Sequence, residues 1–351
     1  MMGTRLSHRV LPLSRREWLI QAGMGFGALA QSPNSNAIQV TVDNFNRAET
    51  DMYFTLFVKR GAFGKFYHYR ELPLENTGVR PNRDTLYSEA VFDLDAGQVK
   101  IVLPDAGKRF MSMMAINEDH YVYEVDYGAG NYRFTKPEIG TRYVFIALRT
   151  LVDPTNPTDV QQAHALQDAV KVTQASPGRF EVPNWDSVSQ KKVRDALLVL
   201  NTTLLDLRRA FGTRAHVDRV RHLIATASAW GGNPDNDAVY LNITPSKNDG
   251  TTVYRLNVPG KVPVNAFWSV IVYDAEGHLQ KNRYDAYSLN SITANKNTDG
   301  SVAIQFGGCD RKTPNCLPTM TGWNYMVRLY RPRDEILSGK WKFPEAQPVN
   351  Q

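Results

Sequence analysis

A charged pair, Arg83 and Asp84, stands just before a predicted strand and is the first candidate for chemistry. Arginine is suited to bidentate recognition of a carboxylate or a phosphate, and the aspartate could act as a general base or hold that arginine. A turn accounts for the same residues without chemistry, with Asn82 or Asp84 capping its own backbone and Arg83 in a structural ion pair. Both interpretations stay open, and we predict Arg83 and Asp84 as catalytic residues.

A histidine and two carboxylates form the second candidate group, between residues 117 and 127. Side chains alternate between the two faces of a strand, so His120, Glu124 and Asp126 are predicted to share one face. Such a set could perform acid–base chemistry or bind a metal ion, although the solvated face of a half-buried sheet has the same pattern. We predict His120 and Glu124 as catalytic. We assign no metal ligands, because a His-Glu-x-x-His pattern is absent.

Aromatic and polar residues near these groups are candidates for holding a ligand. The chain has 16 tyrosines and 6 tryptophans. They could line a cleft for a sugar or an aromatic molecule, although a two-sheet core is the commoner place for aromatic residues. We predict ligand-binding roles for Asn82, Tyr87, His68 and Trp230. No serine stands in a nucleophile-elbow pattern, so the sequence gives no support for a hydrolase of the common triad kind.

The elements that must position these residues follow a β–helical–β plan. Short strand-like runs near the two ends are separated by glycine and proline turns, and their spacing is typical of an antiparallel sandwich or barrel. Three helical patterns fill the middle, over residues 158–172, 187–211 and 215–229. No dinucleotide fingerprint or phosphate loop occurs. The predicted domains are a β domain with a leading helix at 49–157, a helical segment at 158–234 and a β domain at 235–351.

The first thirty residues have the pattern of an export signal. Arg15 and Arg16 precede a mild apolar run that ends in Ala-Leu-Ala at 28–30, which is typical of a twin-arginine signal and its cleavage site. An ordinary amphipathic helix is the alternative. We therefore expect a signal peptide at 1–30, a linker at 31–48, recognition by the twin-arginine export machinery, and a periplasmic or secreted bacterial protein.

The only two cysteines, Cys309 and Cys316, lie seven residues apart in a polar stretch that contains a proline. In an oxidising compartment, two cysteines on one loop are expected to form a disulfide. Two free thiols and a metal site are the alternatives, and the metal site is the weakest because no histidine is nearby.

Composition and charge exclude several classes of protein. The chain has 351 residues, of which 42% are hydrophobic and 22% charged, which is typical of a globular protein. Half of the net charge of +6 lies in the first thirty residues, and the remaining lysines and arginines form no basic stripe, so we expect no nucleic-acid binding. No apolar run reaches the ~18 residues of a membrane span, so we expect no stable membrane insertion.

Two parts of the chain resemble known bacterial families. The sequence VRPNRDTLYS at 79–88 and FDLDAG at 92–97 resemble the domain of unknown function 1254. VPVNAFWSV at 262–270 and RLYRP at 328–332 resemble its usual companion, the domain of unknown function 1214. The resemblance implies a mainly β fold of the α+β class, with two jelly-roll-like antiparallel β-sandwich domains and helices packed against them. It implies no reaction. Many members have tryptophan where this chain has Cys316.

Three functional hypotheses follow. The first is an exported protein that binds, and in one version hydrolyses, a small polar or carbohydrate-like ligand near Arg83, Asp84 and His120. The second is a non-enzymatic envelope or assembly protein, because jelly-roll sandwiches pack readily into homo-oligomers. The third is a periplasmic redox enzyme with a cofactor, which rests on the export route alone and names no cofactor.

Overall fold

Strands outnumber helices in the computed structural model, which describes residues 36–74 and 79–349. The predicted export signal at 1–30 and the first residues of the linker lie outside the described residues. The helices are α1 (Phe45–Lys59), α2 (Lys136–Ile139), α3 (Pro157–Asp168), α4 (Ser187–Asn201), α5 (Arg219–Ser228) and α6 (Asp334–Leu337). The strands of the first half are β1 (Tyr67–His68), β2 (Thr85–Asp93), β3 (Val99–Leu103), β4 (Met111–Asn117), β5 (Val122–Tyr127), β6 (Gly130–Phe134), β7 (Tyr143–Leu151) and β8 (Lys171–Thr173). Those of the second half are β9 (Ala238–Ile243), β10 (Tyr254–Val258), β11 (Trp268–Tyr273), β12 (Ser288–Asn290), β13 (Val302–Phe306), β14 (Cys316–Leu317), β15 (Asn324–Tyr330) and β16 (Gln347–Pro348).

The first half of the chain builds a sandwich of two antiparallel sheets. The larger sheet has the order β1-β2-β7-β4-β5 and the smaller sheet the order β6-β3-β8. Buried and exposed residues alternate along β3, so Val99, Ile101 and Leu103 all point at the larger sheet. They pack there against Phe92 and Met113. Burial of this apolar surface contributes roughly 25 cal/mol per Å² and holds the two sheets together.

The outer face of the larger sheet is also covered. All nine residues of β7 are buried, which requires packing on both faces of the sheet. Helix α1 lies on the face opposite the sandwich core. Its Phe54 and Phe57 contact Phe145 of β7, with ring centroids 5.9 and 4.6 Å apart. The layer between α1 and the sheet contains the candidate site described below.

The second half of the chain builds another sandwich, from sheets of order β14-β13-β10-β16 and β12-β11-β15-β9. Strand pairing is antiparallel except between β13 and β14. Aromatic rings fill the space between the sheets: Phe306 lies 5.2 Å from Trp323 and 5.0 Å from Tyr325, measured between ring centroids. The predicted mainly β fold with two antiparallel sandwiches and accompanying helices is therefore confirmed.

Residues 80–84, called the docking segment below, connect the two sandwiches. The Arg80 carbonyl oxygen accepts a hydrogen bond from Arg328 Nη2 at 2.9 Å, and the Pro81 carbonyl accepts one from the Tyr273 hydroxyl at 2.7 Å. Arg328 and Tyr273 belong to β15 and β11 of the second sandwich. Residues from Ile38 onward form one compact unit, and the domain division at 49–157, 158–234 and 235–351 stays a prediction.

Most predicted elements agree with the structure to within a few residues, and the largest difference concerns α4. The pattern at 187–211 predicted one long helix, but α4 ends at Asn201. The hydroxyls of Thr202 and Thr203 donate at 2.7 Å to carbonyl oxygens three residues earlier. They satisfy the acceptors that a helix end leaves open, so the helix stops ten residues early.

The expectation for the cysteines is confirmed: Cys309 and Cys316 form a disulfide, which closes a loop after β13. In residues 36–74 and 79–349, no helix is both long enough and apolar enough to cross a bilayer.

Candidate functional site

The docking segment directs Arg83 and Asp84 away from each other. Arg83 Nη1 donates to the Pro73 carbonyl oxygen at 2.6 Å, and its guanidinium lies 4.6 Å from the centre of the Tyr287 ring. Asp84 is fully buried and accepts a long hydrogen bond, 3.5 Å, from Asn290 Nδ2 of the second sandwich. These contacts anchor the docking segment, and neither charged group reaches the cavity described below.

His120 lies in a tight turn before β5 with a φ of 65°, and its ring is completely buried. Ring Nδ1 is 2.8 Å from Thr226 Oγ1, and Nε2 accepts the Gly231 N–H at 2.9 Å. The imidazole also stacks on Trp230, with centroids 5.3 Å apart. Burial lowers the pKa of His120 well below its usual value. His120 is therefore a neutral side chain that positions the backbone at Gly231.

A β-bulge keeps His120 and Glu124 from sharing a face. Ile116 pairs with Val122 and Ala115 pairs with Glu124, so β5 has one extra residue between these pairs. Ile116 and Val122 pack toward α1, whereas Ala115 belongs to the sandwich core. Glu124 consequently lies on the side of the sheet opposite to Val122. Strict alternation predicted a common face, and the bulge breaks that alternation.

His68 lies on the face of the larger sheet that is opposite to α1. Its Nδ1 is 2.7 Å from Ser88 Oγ, and Gln167 Nε2 of α3 donates to the same hydroxyl at 3.1 Å. Ser88 and Tyr87 are neighbours on β2 and point to opposite faces. The sheet therefore separates His68 from Tyr87.

The other three predicted ligand-binding residues, Asn82, Tyr87 and Trp230, line one cavity of about 840 Å³ between α1 and the larger sheet. We call it the Arg149 cavity. Its full lining is Tyr53, Leu56, Phe57, Arg60, Tyr69, Glu71, Leu72, Pro73, Leu74, Pro81, Asn82, Thr85, Tyr87, Glu89, Met114, Phe145, Ala147, Arg149, Trp230 and Gly231. One part of this lining is aromatic and apolar, and another carries charged and hydrogen-bonding groups.

The aromatic wall is held by stacking and by one hydrogen bond. Trp230 stacks on Tyr53 with centroids 4.5 Å apart and meets Phe145 edge-on at 5.4 Å. Its Nε1 donates to Thr50 Oγ1 of α1 at 3.1 Å. Because His120 supports the other face of Trp230, the wall has a fixed orientation.

Arg149 forms the polar end of the cavity together with its strand partner. Tyr87 of β2 and Arg149 of β7 are directly opposite each other in the sheet. Arg149 Nε donates to the Tyr87 hydroxyl at 3.2 Å, and Nη1 and Nη2 donate to Asn233 Oδ1 and the Gly231 oxygen at 3.2 and 3.1 Å. Asn82 Nδ2 donates to the same Tyr87 hydroxyl at 3.3 Å. The Arg149 guanidinium thus links Tyr87 of β2 to the segment that contains Gly231 and Asn233.

Glu89 is the acidic group at this end of the cavity. It lies two residues after Tyr87 on β2 and therefore on the same face. Burial raises the pKa of Glu89 to about 7, against the lowering effects of a hydrogen bond from Tyr69 and of the charges of Arg60 and Arg149. Its Oε2 has no hydrogen-bond partner among the described residues. The carboxyl group therefore titrates near neutrality while facing the cavity.

Glu89 and Arg149 were not among the site residues predicted from the sequence, although a signal was present. Glu89 precedes the apolar run Ala90-Val91-Phe92 of β2, and Arg149 follows the run YVFIAL as the one charged residue of β7. A charged residue in a buried strand is rarely tolerated without a partner or a role. This pattern could have identified both residues before the structure.

Family models match two parts of the chain. The model described as "Protein of unknown function (DUF1254)" matches residues 63–174, and "Protein of unknown function (DUF1214)" matches residues 239–334. The first range contains Tyr87, Glu89 and Arg149 of the cavity, and the second contains Tyr273 and Arg328, which hold the docking segment. A search of the curated proteins finds no match.

Two solved structures have similar folds. The VPA0106 protein from Vibrio parahaemolyticus is 19% identical with a TM-score of 0.68, and the alignment covers 88% of this chain and 100% of that one. An uncharacterized protein from Burkholderia cenocepacia is 13% identical with a TM-score of 0.50, covering 90% and 91% of the two chains. At these identities the likeness shows the fold alone. The two family models show that the chain carries a DUF1254 region followed by a DUF1214 region.

Proposed function

We propose that this protein binds a small organic ligand in the Arg149 cavity. The observation that carries the proposal is the convergence of Tyr87, Glu89 and Arg149, from two paired strands, on a cavity of about 840 Å³ with an aromatic wall. Ligand sites are typically apolar cavities of about 300–1,000 Å³ with a few placed polar groups. The cavity matches that description in size and in lining.

The lining favours a ligand with a flat ring and one polar end. Tyr53, Phe145 and Trp230 offer aromatic surface that can pack against an aromatic ring or the apolar face of a sugar. The polar end of the ligand would meet Tyr87 and Arg149. An extended polar chain has little apolar surface to pack against the aromatic wall, so a ring with a single polar group fits better.

Hydrolysis of the bound ligand is a second candidate function, supported by Glu89 alone. A carboxyl group that titrates near neutrality can both accept and donate a proton at working pH. Comparing the hydrolysis of 2-naphthyl acetate by the wild type and by Glu89→Gln tests this candidate. Equal rates of hydrolysis for the two proteins would contradict a catalytic role of Glu89 and exclude this candidate function.

Export to the periplasm is part of the proposal and is supported by Arg15 and Arg16 before the Ala-Leu-Ala site and by the Cys309–Cys316 disulfide. We expect Arg15→Lys/Arg16→Lys to retain the full-length chain in the cytoplasm. N-terminal sequencing of protein recovered from the periplasmic fraction checks this expectation. A periplasmic chain with an uncleaved N-terminus, or unchanged export of the double variant, would contradict it.

The binding proposal is tested by blocking the cavity. Ala147 lies on the cavity wall, and we expect Ala147→Phe to fill the space and weaken the binding of 2-naphthoate at least about tenfold, as a loss of about 1.4 kcal/mol implies. Isothermal titration calorimetry measures this. The expected dissociation constant for the wild type is about 1 mM or lower, from about 0.3 kcal/mol per ligand atom.

The matched control is Ala303→Phe, on the face of β13 that points away from the core of the second sandwich. It adds the same side chain far from the cavity and should leave binding unchanged. Equal affinity in wild type and Ala147→Phe would overturn the proposal, as would the absence of any binding to the wild type.

A further inference from the structure

We propose that the ligand of the Arg149 cavity is a carboxylate anion, held by the Arg149 guanidinium and the Tyr87 hydroxyl. This inference rests on the proposed binding function and adds the chemical class of the ligand. Three observations support it: the buried positive charge of Arg149, the capacity of the Tyr87 hydroxyl to donate a hydrogen bond, and the protonation state of Glu89.

Arg149 is a buried cation, 6% exposed, whose hydrogen bonds within the described part of the chain all go to neutral groups. These acceptors are the Tyr87 hydroxyl, the Asn233 side-chain oxygen, the Gly231 carbonyl and, more weakly, the sulfur of Met114. A buried charge is costly unless an opposite charge compensates it. The charge of Arg149 reaches Glu89 and Asp237, whose pKa values it lowers, but among the described residues no hydrogen bond joins it to either carboxyl group. An anionic ligand would supply a negative charge in direct contact with the guanidinium, whereas a neutral ligand would not.

The Tyr87 hydroxyl accepts two hydrogen bonds and donates none to the described residues, which leaves its proton for a ligand. It accepts hydrogen bonds from Arg149 Nε and Asn82 Nδ2, and neither group can accept one in return. The Tyr87 proton therefore has to point toward a third acceptor. Burial raises the pKa of Tyr87, but the Arg149 charge and the bond from Asn82 lower it by more, and the net shift is downward. An acidic phenol is a strong donor to a carboxylate.

Because Glu89 titrates, we expect the affinity of the cavity for an anion to depend on pH. Arg60 Nη1 donates to the Tyr69 hydroxyl at 2.7 Å, and Tyr69 lies close enough to the Glu89 carboxyl to lower its pKa. With a pKa of about 7, Glu89 is neutral below neutrality and donates a hydrogen bond to an anion. Above neutrality it becomes negative and repels the same anion. Glu71, at the exposed rim, is the other acidic residue of the lining.

The expected pH dependence has a definite sign. An aromatic carboxylate stays ionised throughout the range from about pH 6 to about pH 8.5, because carboxylic acids titrate near 4. Any change in its affinity over this pH range therefore reflects a titration of the protein and not of the ligand. We expect the affinity to be constant below the pKa of Glu89 and to fall above it by up to about tenfold per pH unit.

The test compares 2-naphthoate with 2-naphthamide, which share the ring and differ in charge. For the wild type near pH 6, calorimetry should give at least about tenfold tighter binding of 2-naphthoate, equivalent to about 1.4 kcal/mol. Tyr87→Phe and Arg149→Gln should each reduce this preference. Glu89→Gln should keep the preference and make the affinity for 2-naphthoate independent of pH.

Two controls change the same chemical groups outside the cavity. Glu124→Gln removes another carboxyl group whose pKa burial raises to about 7, with Asp126 adding to the shift. Tyr325→Phe removes a buried hydroxyl in the second sandwich. Both should bind 2-naphthoate as the wild type does, with the same pH dependence. If Arg149→Gln fails to fold, Tyr87→Phe and the pH series still decide the question.

The outcomes separate the two proposals. Equal binding of 2-naphthoate and 2-naphthamide, both blocked by Ala147→Phe, would overturn the anion inference and leave the binding function standing. A pH dependence that persists in Glu89→Gln would overturn the role of Glu89. Binding of neither compound would overturn the proposed function and this inference with it.

Discussion

Arg328→Met is expected to lower the free energy of unfolding by about 3–5 kcal/mol, the usual cost of removing one partner from a buried charge interaction. Arg328 is 4% exposed and donates to the Arg80 carbonyl and the Tyr273 hydroxyl. Burial raises the pKa of Asp84, and the charge of Arg328 is the largest effect that opposes this rise. Without Arg328, Asp84 would be buried with its main compensating charge removed, and the Arg80 carbonyl and the Tyr273 hydroxyl would each lose a hydrogen-bond donor.

Urea unfolding of the wild type and of Arg328→Met measures this loss. The matched control is Arg255→Met on the exposed face of β10, where a surface substitution should change stability by no more than about 0.5 kcal/mol. The double variant Asp84→Asn/Arg328→Met should lose less than the sum of the single variants, with a coupling of about 0.5–3 kcal/mol. Additive losses would show that Asp84 and Arg328 do not act together.

Trp230→Ala is expected to lower the free energy of unfolding by about 3 kcal/mol, the low end of the range for truncation of a core aromatic residue, because Trp230 is half-buried. Trp230 stacks between Tyr53 and His120 and donates to Thr50, so the substitution removes packing on both sides and one hydrogen bond. Because its ring forms part of the cavity wall, we also expect at least about tenfold weaker binding of 2-naphthoate, equivalent to about 1.4 kcal/mol.

Trp341→Ala is the control for this substitution. Trp341 is a partly buried tryptophan that packs against the core of the second sandwich, with its ring 6.0 Å from that of Phe343. Its removal should also cost stability but should leave the affinity for 2-naphthoate unchanged. The assignment of Trp230 to the ligand wall would be contradicted if both tryptophan variants bound the compound equally well.

Much of the fold could be predicted from the sequence because its signals are local. Apolar, strand-like runs at residues 99–103 and 238–243 are bounded by turn residues in the sequence, and β3 and β9 have these same bounds. Helix α4 was predicted too long, because hydroxyl-to-carbonyl bonds at Thr202 and Thr203 end it. The apolar spacing continues past that point and carries no sign of the break.

The candidate site could be predicted only in part. Asn82, Tyr87 and Trp230 were selected and do line the cavity, whereas the bulge in β5 separates His120 from Glu124. A bulge changes the facing of every later residue in its strand and depends on the neighbouring strand. The pairing of Tyr87 with Arg149 joins residues 62 positions apart. One sequence without its fold does not reveal such a pairing.

A crystal structure of the protein with 2-naphthoate tests the central claim most directly. We expect the naphthalene ring to lie against Trp230 and Phe145, with the carboxylate within hydrogen-bond distance, about 2.5–3.0 Å, of the Tyr87 hydroxyl oxygen. We also expect Ala147→Phe crystals grown and soaked in the same way to lack the ligand. A naphthoate bound elsewhere on the surface, or bound in the cavity with its carboxylate turned away from Tyr87 and Arg149, would contradict the claim.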